Sequence, residues 1–153
     1  MKYQRLRTLQ EKNILIPRSC LYDGNLGALE WWKTPSVIVR SSYRFEDGED
    51  RSYAGFFQSI GPIPIDDIHS IKNAIQTIRK DAKEKLTAEN KPNDGFDVFI
   101  QEYQEIDSGG VIFIQDDKLL LQYSKGGNGT KNIVSGIAPD ATLYLQQSFE
   151  LSN

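Results

Sequence analysis

Three groups of residues in this chain could do chemistry on a charged ligand: an arginine with two hydroxyls, a glycine-rich loop and a scatter of carboxylates. The apolar run Val37-Ile38-Val39 delivers Arg40, Ser41 and Ser42 to what reads as a strand end. An arginine presents a rigid fork of donors that suits phosphate or carboxylate oxygens, and neighbouring hydroxyls and backbone N–H groups can complete such a cradle. The same three residues also suit the plain end of an edge strand. Arg44 is a second, weaker candidate. The loop Gly126-Gly127-Asn128-Gly129 would let backbone N–H groups approach a phosphate closely through Gly127 and Gly129, or would simply turn the chain. It is too short for either the Walker or the dinucleotide fingerprint, and no Lys-Ser or Lys-Thr pair follows in register. Asp116, Asp117 and Asp140 carry the hard oxygen ligands that a dication prefers, and each also suits a turn.

The elements that must position these groups follow from hydrophobic spacing. Residues 3–12 suit a short helix with Leu6 and Leu9 on one side, and Ile14-Leu15-Ile16-Pro17 reads as a strand stopped by proline. Asn25 to Trp32 suits a turn or two of helix, with the Trp31-Trp32 pair read as packing. After a loop punctuated by Pro62 and Pro64, Ile65, Ile68, Ile71, Ile75, Ile78, Ala82 and Leu86 recur every three or four residues, the signature of one long amphipathic helix. Asp66 and Asp67 near its start and Lys83 and Lys85 near its end complement the helix dipole. The sole histidine, His69, lies beside that stripe and reads as structural or surface. Residues 90–95 form a breaker cluster and a candidate hinge. Strand-like patterns follow at 96–103, 109–115, 118–123, 132–137 and 141–147, with Asp116-Asp117 as a turn. The expected organisation is α+β: a front α/β lobe at 1–89, a hinge at 90–95 and a rear antiparallel β lobe at 96–153.

Composition bounds the function classes. The 153 residues contain 39% hydrophobic and 25% charged side chains, as in a globular protein with a modest core. Lys+Arg (18) nearly balances Asp+Glu (21), for a formal net charge of −3, so there is no electrostatic footprint for nucleic acid or an anionic membrane. The single cysteine, Cys20, excludes an intrachain disulfide and a cysteine-based zinc site, and reads as a small apolar residue. No segment approaches the ~20 apolar residues that span a bilayer, and the basic start lacks the apolar run of a signal peptide, so a cytoplasmic location is expected.

Three segments, in order, resemble one family. Val39-Arg40-Ser41-Ser42 followed by Glu46-Asp47 and Ser52-Tyr53-Ala54-Gly55 is similar to the V-R-S-S…E-D…S-[FY]-A-G stretch of the nucleotide-binding domain of phosphoenolpyruvate synthase and pyruvate, phosphate dikinase. Phe99-Ile100-Gln101-Glu102-Tyr103, then Asp107 to Phe113 and Asp116, resembles that family's next pair of strands. Gly127-Asn128-Gly129, then Ile133-Val134-Ser135-Gly136 and Pro139-Asp140, resembles its glycine loop and following segment. The likeness covers roughly residues 37–145.

The resemblance implies an ATP-grasp fold of two small lobes with mainly antiparallel sheets, ATP as ligand with Mg²⁺, and a phosphotransferase activity. It assigns phosphate to Arg40, Ser41 and Ser42. It assigns the adenine to the Gln101-Glu102-Tyr103 connection, with Ile38 and Ile100 as apolar walls, and further phosphate contacts to Gly127 and Gly129. The family's metal-binding glutamates fall on Gln122 and Thr130, where a neutral carbonyl and a hydroxyl replace the charge a dication prefers. Asp116 is a weak substitute. The family's phosphate-binding lysine segment would precede residue 1, and its phosphohistidine domain would come from a protein partner. A degenerate, non-catalytic member acting through protein contacts, or a piece of a split dikinase, is the alternative reading.

Overall fold

The computed structural model describes residues 2–44, 56–115, 118–126, 132–133 and 135–146. Across them the chain is α+β, with two α-helices, one 3-10 turn and two antiparallel sheets. It divides into two compact units, Met1–Tyr103 and Gln104–Asn153.

In the first unit α1 (Lys2–Glu11) leads to β1 (Ser19–Leu21), the 3-10 turn Gly27–Trp31, β2 (Ser36–Tyr43), β3 (Ser59–Pro64), α2 (Ile68–Ala88) and β4 (Phe96–Glu102). The sheet order is β1-β4-β2-β3, so β2 and β4 are its centre. Helix α2 starts where the Asp67 carboxylate accepts the Ser70 amide at 2.9 Å, the bond that a helix N-cap supplies to an orphan donor. It buries Ile71, Ala74, Ile75, Ile78, Ala82 and Leu86 along one stripe. That stripe packs on Val37, Val39, Val98 and Ile100 of the central strands, and further along on Tyr43 and Phe57. The helix ends at Asn90 (φ 53), where the Lys91 amide reaches back to the Leu86 carbonyl at 2.8 Å.

Several expectations are corrected here. Ile14 to Pro17 is not a strand: Asn13 (φ 59) terminates α1 with the Ile14 amide on the Leu9 carbonyl, and Leu15 stands fully exposed. Ser19–Leu21 takes the edge position beside β4 instead. Pro62 and Pro64 lie in β3 rather than in a loop, which an edge strand tolerates because one side needs no ladder donors. Between Val37↔Ile63 and Val39↔Ile60 the register shifts, with Gly61-Pro62 opposite Ile38. A Cβ at Gly61 would lie 2.9 Å from the Ile38 Cα and the Val37 carbonyl oxygen, so the close approach requires glycine.

The expected hinge at 90–95 is a loop inside the first unit. Tyr43 Oη donates to the Pro92 carbonyl at 2.9 Å, the Arg44 amide donates to the Gly95 carbonyl, and Arg44 pairs with Asp94 at 2.6 Å. Strand β4 then enters the centre of the first sheet, so residues 96–103 belong with the front elements and the break falls between Tyr103 and Gln104.

The second unit is a meander of β5 (Ser108–Gln115), β6 (Lys118–Lys125) and β7 (Ala141–Gln146), with β6 in the middle. The strand expected over 132–137 is absent from its described residues. Asn132-Ile133 is helical, and Gly136 (φ 82) closes the turn with the Ile137 amide on the Asn132 carbonyl.

Candidate functional site

Strand β2 keeps pairing with β4 as far as Tyr43↔Phe96, so Arg40 lies inside the strand and not at its end. Alternation along β2 then sorts the expected grip. Val37, Val39, Ser41 and Tyr43 face α2, whereas Ile38, Arg40 and Ser42 occupy the other face. Ser41 is therefore separated from its two neighbours by the sheet itself.

On the Arg40 face, Ile38 is opposite Gln101 and Arg40 is opposite Phe99. The arginine reaches diagonally, and Nη1 donates to Gln101 Oε1 at 2.9 Å. Gln101 is buried, and its β1 neighbour in register is Ser19, whose buried Oγ has no hydrogen-bond partner among the described residues. Ser42 is fully buried because α1 covers it: the Tyr3 amide donates to Ser42 Oγ at 3.1 Å, and the Tyr3 ring lies 5.7 Å from Phe99. The structure thus gathers Ser19, Arg40, Ser42 and Gln101 on one sheet face beside α1. Ser19 escaped sequence reasoning because a three-residue strand is too short to show alternation.

The adenine connection is built differently from the expectation. The Glu102 amide donates to the Arg18 carbonyl at 2.8 Å and the Tyr103 amide to the Ser36 carbonyl at 3.0 Å. The Glu102 carboxylate also accepts the Arg18 amide at 3.1 Å and sits 3.8 Å from its guanidinium. Both amides would have to leave these bonds before contacting a base. Ile38 and Ile100 cannot sandwich one ring, since Ile100 pairs with Val39 and shares the α2 face.

Of the metal candidates, Gln122 lies in β6 between Val111 and Thr142. Asp140 ties β6 to β7: its carboxylate accepts the Lys125 amide at 2.6 Å, and its own amide donates to Ser124 Oγ at 3.3 Å. Asp116, Asp117, Gly127, Gly129 and Thr130 lie outside the described residues. Among the described residues no group of three or more His, Cys, Asp and Glu could hold a metal ion. His69 is exposed on the first turn of α2. Burial, with the nearby Asp23 carboxylate, pushes the Cys20 thiol up, which disfavours the thiolate a nucleophile requires. No helix among the described residues is long and apolar enough to cross a membrane.

Compared with protein-family models and with curated proteins, the chain matches none.

Proposed function

We propose that this chain is a nucleotide-binding module on the ATP-grasp plan of the phosphoenolpyruvate synthase and pyruvate, phosphate dikinase family, and that it binds ATP without turning it over unaided. One observation carries the reading: the Arg40 strand and the Gln101 strand are paired neighbours, and the guanidinium is held against the Gln101 amide at 2.9 Å on one face. These are the strands whose sequences resemble the family's phosphate grip and base connection. A guanidinium held in position is the group that phosphate oxygens engage in a bidentate fork.

Resident Mg²⁺ does not fit the residues described. Gln122 offers a neutral carbonyl, and the carboxylate of Asp140 is engaged by a backbone amide. Phosphoryl transfer needs a cation that neutralises charge developing on the phosphates, and a dikinase-type reaction would also require a partner protein that supplies the phosphohistidine domain.

A second reading, a degenerate member acting through protein contacts, draws support from the bonds already made by Ser42 Oγ and the Glu102 and Tyr103 amides. Calorimetric titration with ATP and with adenosine, each with and without Mg²⁺, separates the two. Nucleotide binding predicts saturable ATP uptake that is nearly indifferent to Mg²⁺. The second reading predicts no heat of binding from either ligand.

A further inference from the structure

The α2 side of the first sheet carries a second feature, on the face opposite Arg40 and independent of the nucleotide reading. A cleft of about 300 Å³ is lined by Arg79, Lys83 and Leu86 of α2, by Asn93 of the following loop and by Phe96 at the start of β4. Leu86 is 1% exposed and lies beneath the surface, so the apolar surface open to a ligand is that of the half-buried Phe96 ring. The Arg79 guanidinium lies 5.1 Å above the ring of Tyr22, which adds a second aromatic surface close by.

Among the described residues the charge at this cleft is one-sided, and no carboxylate lines it. Neither Arg79 nor Lys83 has an ion-pair partner among the described residues, while the neighbouring Glu84 lies 4.0 Å from Lys80 and Asp81 lies 3.0 Å from Lys85. Arg79 and Lys83 are four residues apart on one helix, where like charges face each other and destabilise the helix. An anion bound between them would relieve that repulsion. Two cations and an amide side chain that line one cleft with an aromatic ring match a flat ring that bears an anionic group.

We propose that this cleft is a binding site for small aryl anions, with the ring on Phe96 and the anionic group between Arg79 and Lys83. Small-molecule sites are concave clefts of roughly 300–1,000 Å³ with a few convergent polar groups, and this cleft lies at the lower end of that range. The anionic group could be phosphate or carboxylate, so both are tested.

The experiment titrates the whole chain with phenyl phosphate, benzoate, inorganic phosphate and phenol, following ring resonances by NMR. Phenyl phosphate or benzoate should bind saturably, shift Tyr22 and Phe96 signals, and bind more tightly than phenol or inorganic phosphate. Arg79→Gln and Lys83→Gln should each weaken binding roughly tenfold, in line with the loss of one charge-assisted contact, and Arg40→Ala should leave it unchanged. Whichever anion binds more tightly identifies the ligand class. Failure of both to saturate at millimolar concentration would overturn the proposal. So would undiminished binding by the Arg79→Gln/Lys83→Gln double variant, or loss of binding on Arg40→Ala. Should the double variant melt early, the Tyr22 and Phe96 shifts of the unaltered chain decide: shifts confined to other residues refute the site.

Discussion

Arg40 and Gln101 meet diagonally across β2 and β4, Nη1 to Oε1 at 2.9 Å, although their direct register partners are Phe99 and Ile38. Diagonal neighbours on a sheet face are within reach only of long side chains, so this contact depends on the arginine's length as well as its charge. It also makes Gln101 a residue that helps to aim Arg40. Arg40→Ala should therefore weaken ATP by roughly ten- to a hundredfold and adenosine much less, as expected for a charge-assisted contact to phosphate. Gln101→Glu should weaken ATP as well, because a carboxylate at that position competes with phosphate for the guanidinium. Equal loss of ATP and adenosine in the Arg40 variant, measured by calorimetry, would make Arg40 structural.

Ile75 is 2% exposed beneath α2. Ile75→Asp places an unpaired charge there, at a cost of several kcal/mol, comparable with the whole margin of a small domain. The first unit should lose its cooperative melting transition in circular dichroism. Wild-type melting would show that the α2 stripe is not packed on Val37, Val39, Val98 and Ile100.

The helix and most of the strand pattern were legible in the sequence because their periods are long enough to read: the buried α2 stripe from Ile71 to Leu86 recurs over about four turns, and β4 to β6 each carry an apolar or alternating run. Other features are settled by tertiary pairing. Nothing local distinguishes Ser19-Cys20-Leu21 from Ile14-Leu15-Ile16 as the partner of β4, and the more apolar of the two stands in solvent. The hinge was misplaced because a breaker cluster marks the end of α2 without revealing that β4 returns to the first sheet. At the site, Arg40 was recognised by residue type, but strand parity separates it from Ser41, and α1 takes Ser42. Both depend on where β2 ends, which the sequence alone left three residues short.

Gly61 approaches the β2 backbone so closely that a Cβ would clash with the Ile38 Cα and the Val37 carbonyl, each 2.9 Å away. Gly61→Ala must push β3 off β2 and should cost about 1–3 kcal/mol, the range of overpacked positions. Chemical denaturation should report a lower midpoint. An unchanged midpoint would mean that the bulge relaxes freely.

The Asp67 carboxyl is held below its ordinary range mainly by accepting the Ser70 amide. A carboxyl depressed by folding contributes stability that is present above its unfolded value and lost as pH falls through its folded one. Asp67→Asn keeps an amide-accepting oxygen but cannot ionise. It should therefore flatten the acid side of the melting-temperature profile below about pH 4, while Asp67→Ala lowers the melting temperature at neutral pH too. Parallel profiles for wild type and Asp67→Asn would refute this assignment.

The most direct test of the central claim is the melting temperature of the whole chain as ATP is titrated, with and without Mg²⁺, alongside Arg40→Ala. A ligand bound only by the native state stabilises it by about 2.7 kcal/mol at a hundredfold excess over its dissociation constant. The account predicts a saturable upward shift with ATP that changes little with Mg²⁺ and largely disappears in Arg40→Ala. No shift at saturating concentration would contradict nucleotide binding, and a shift that survives intact in Arg40→Ala would contradict the site.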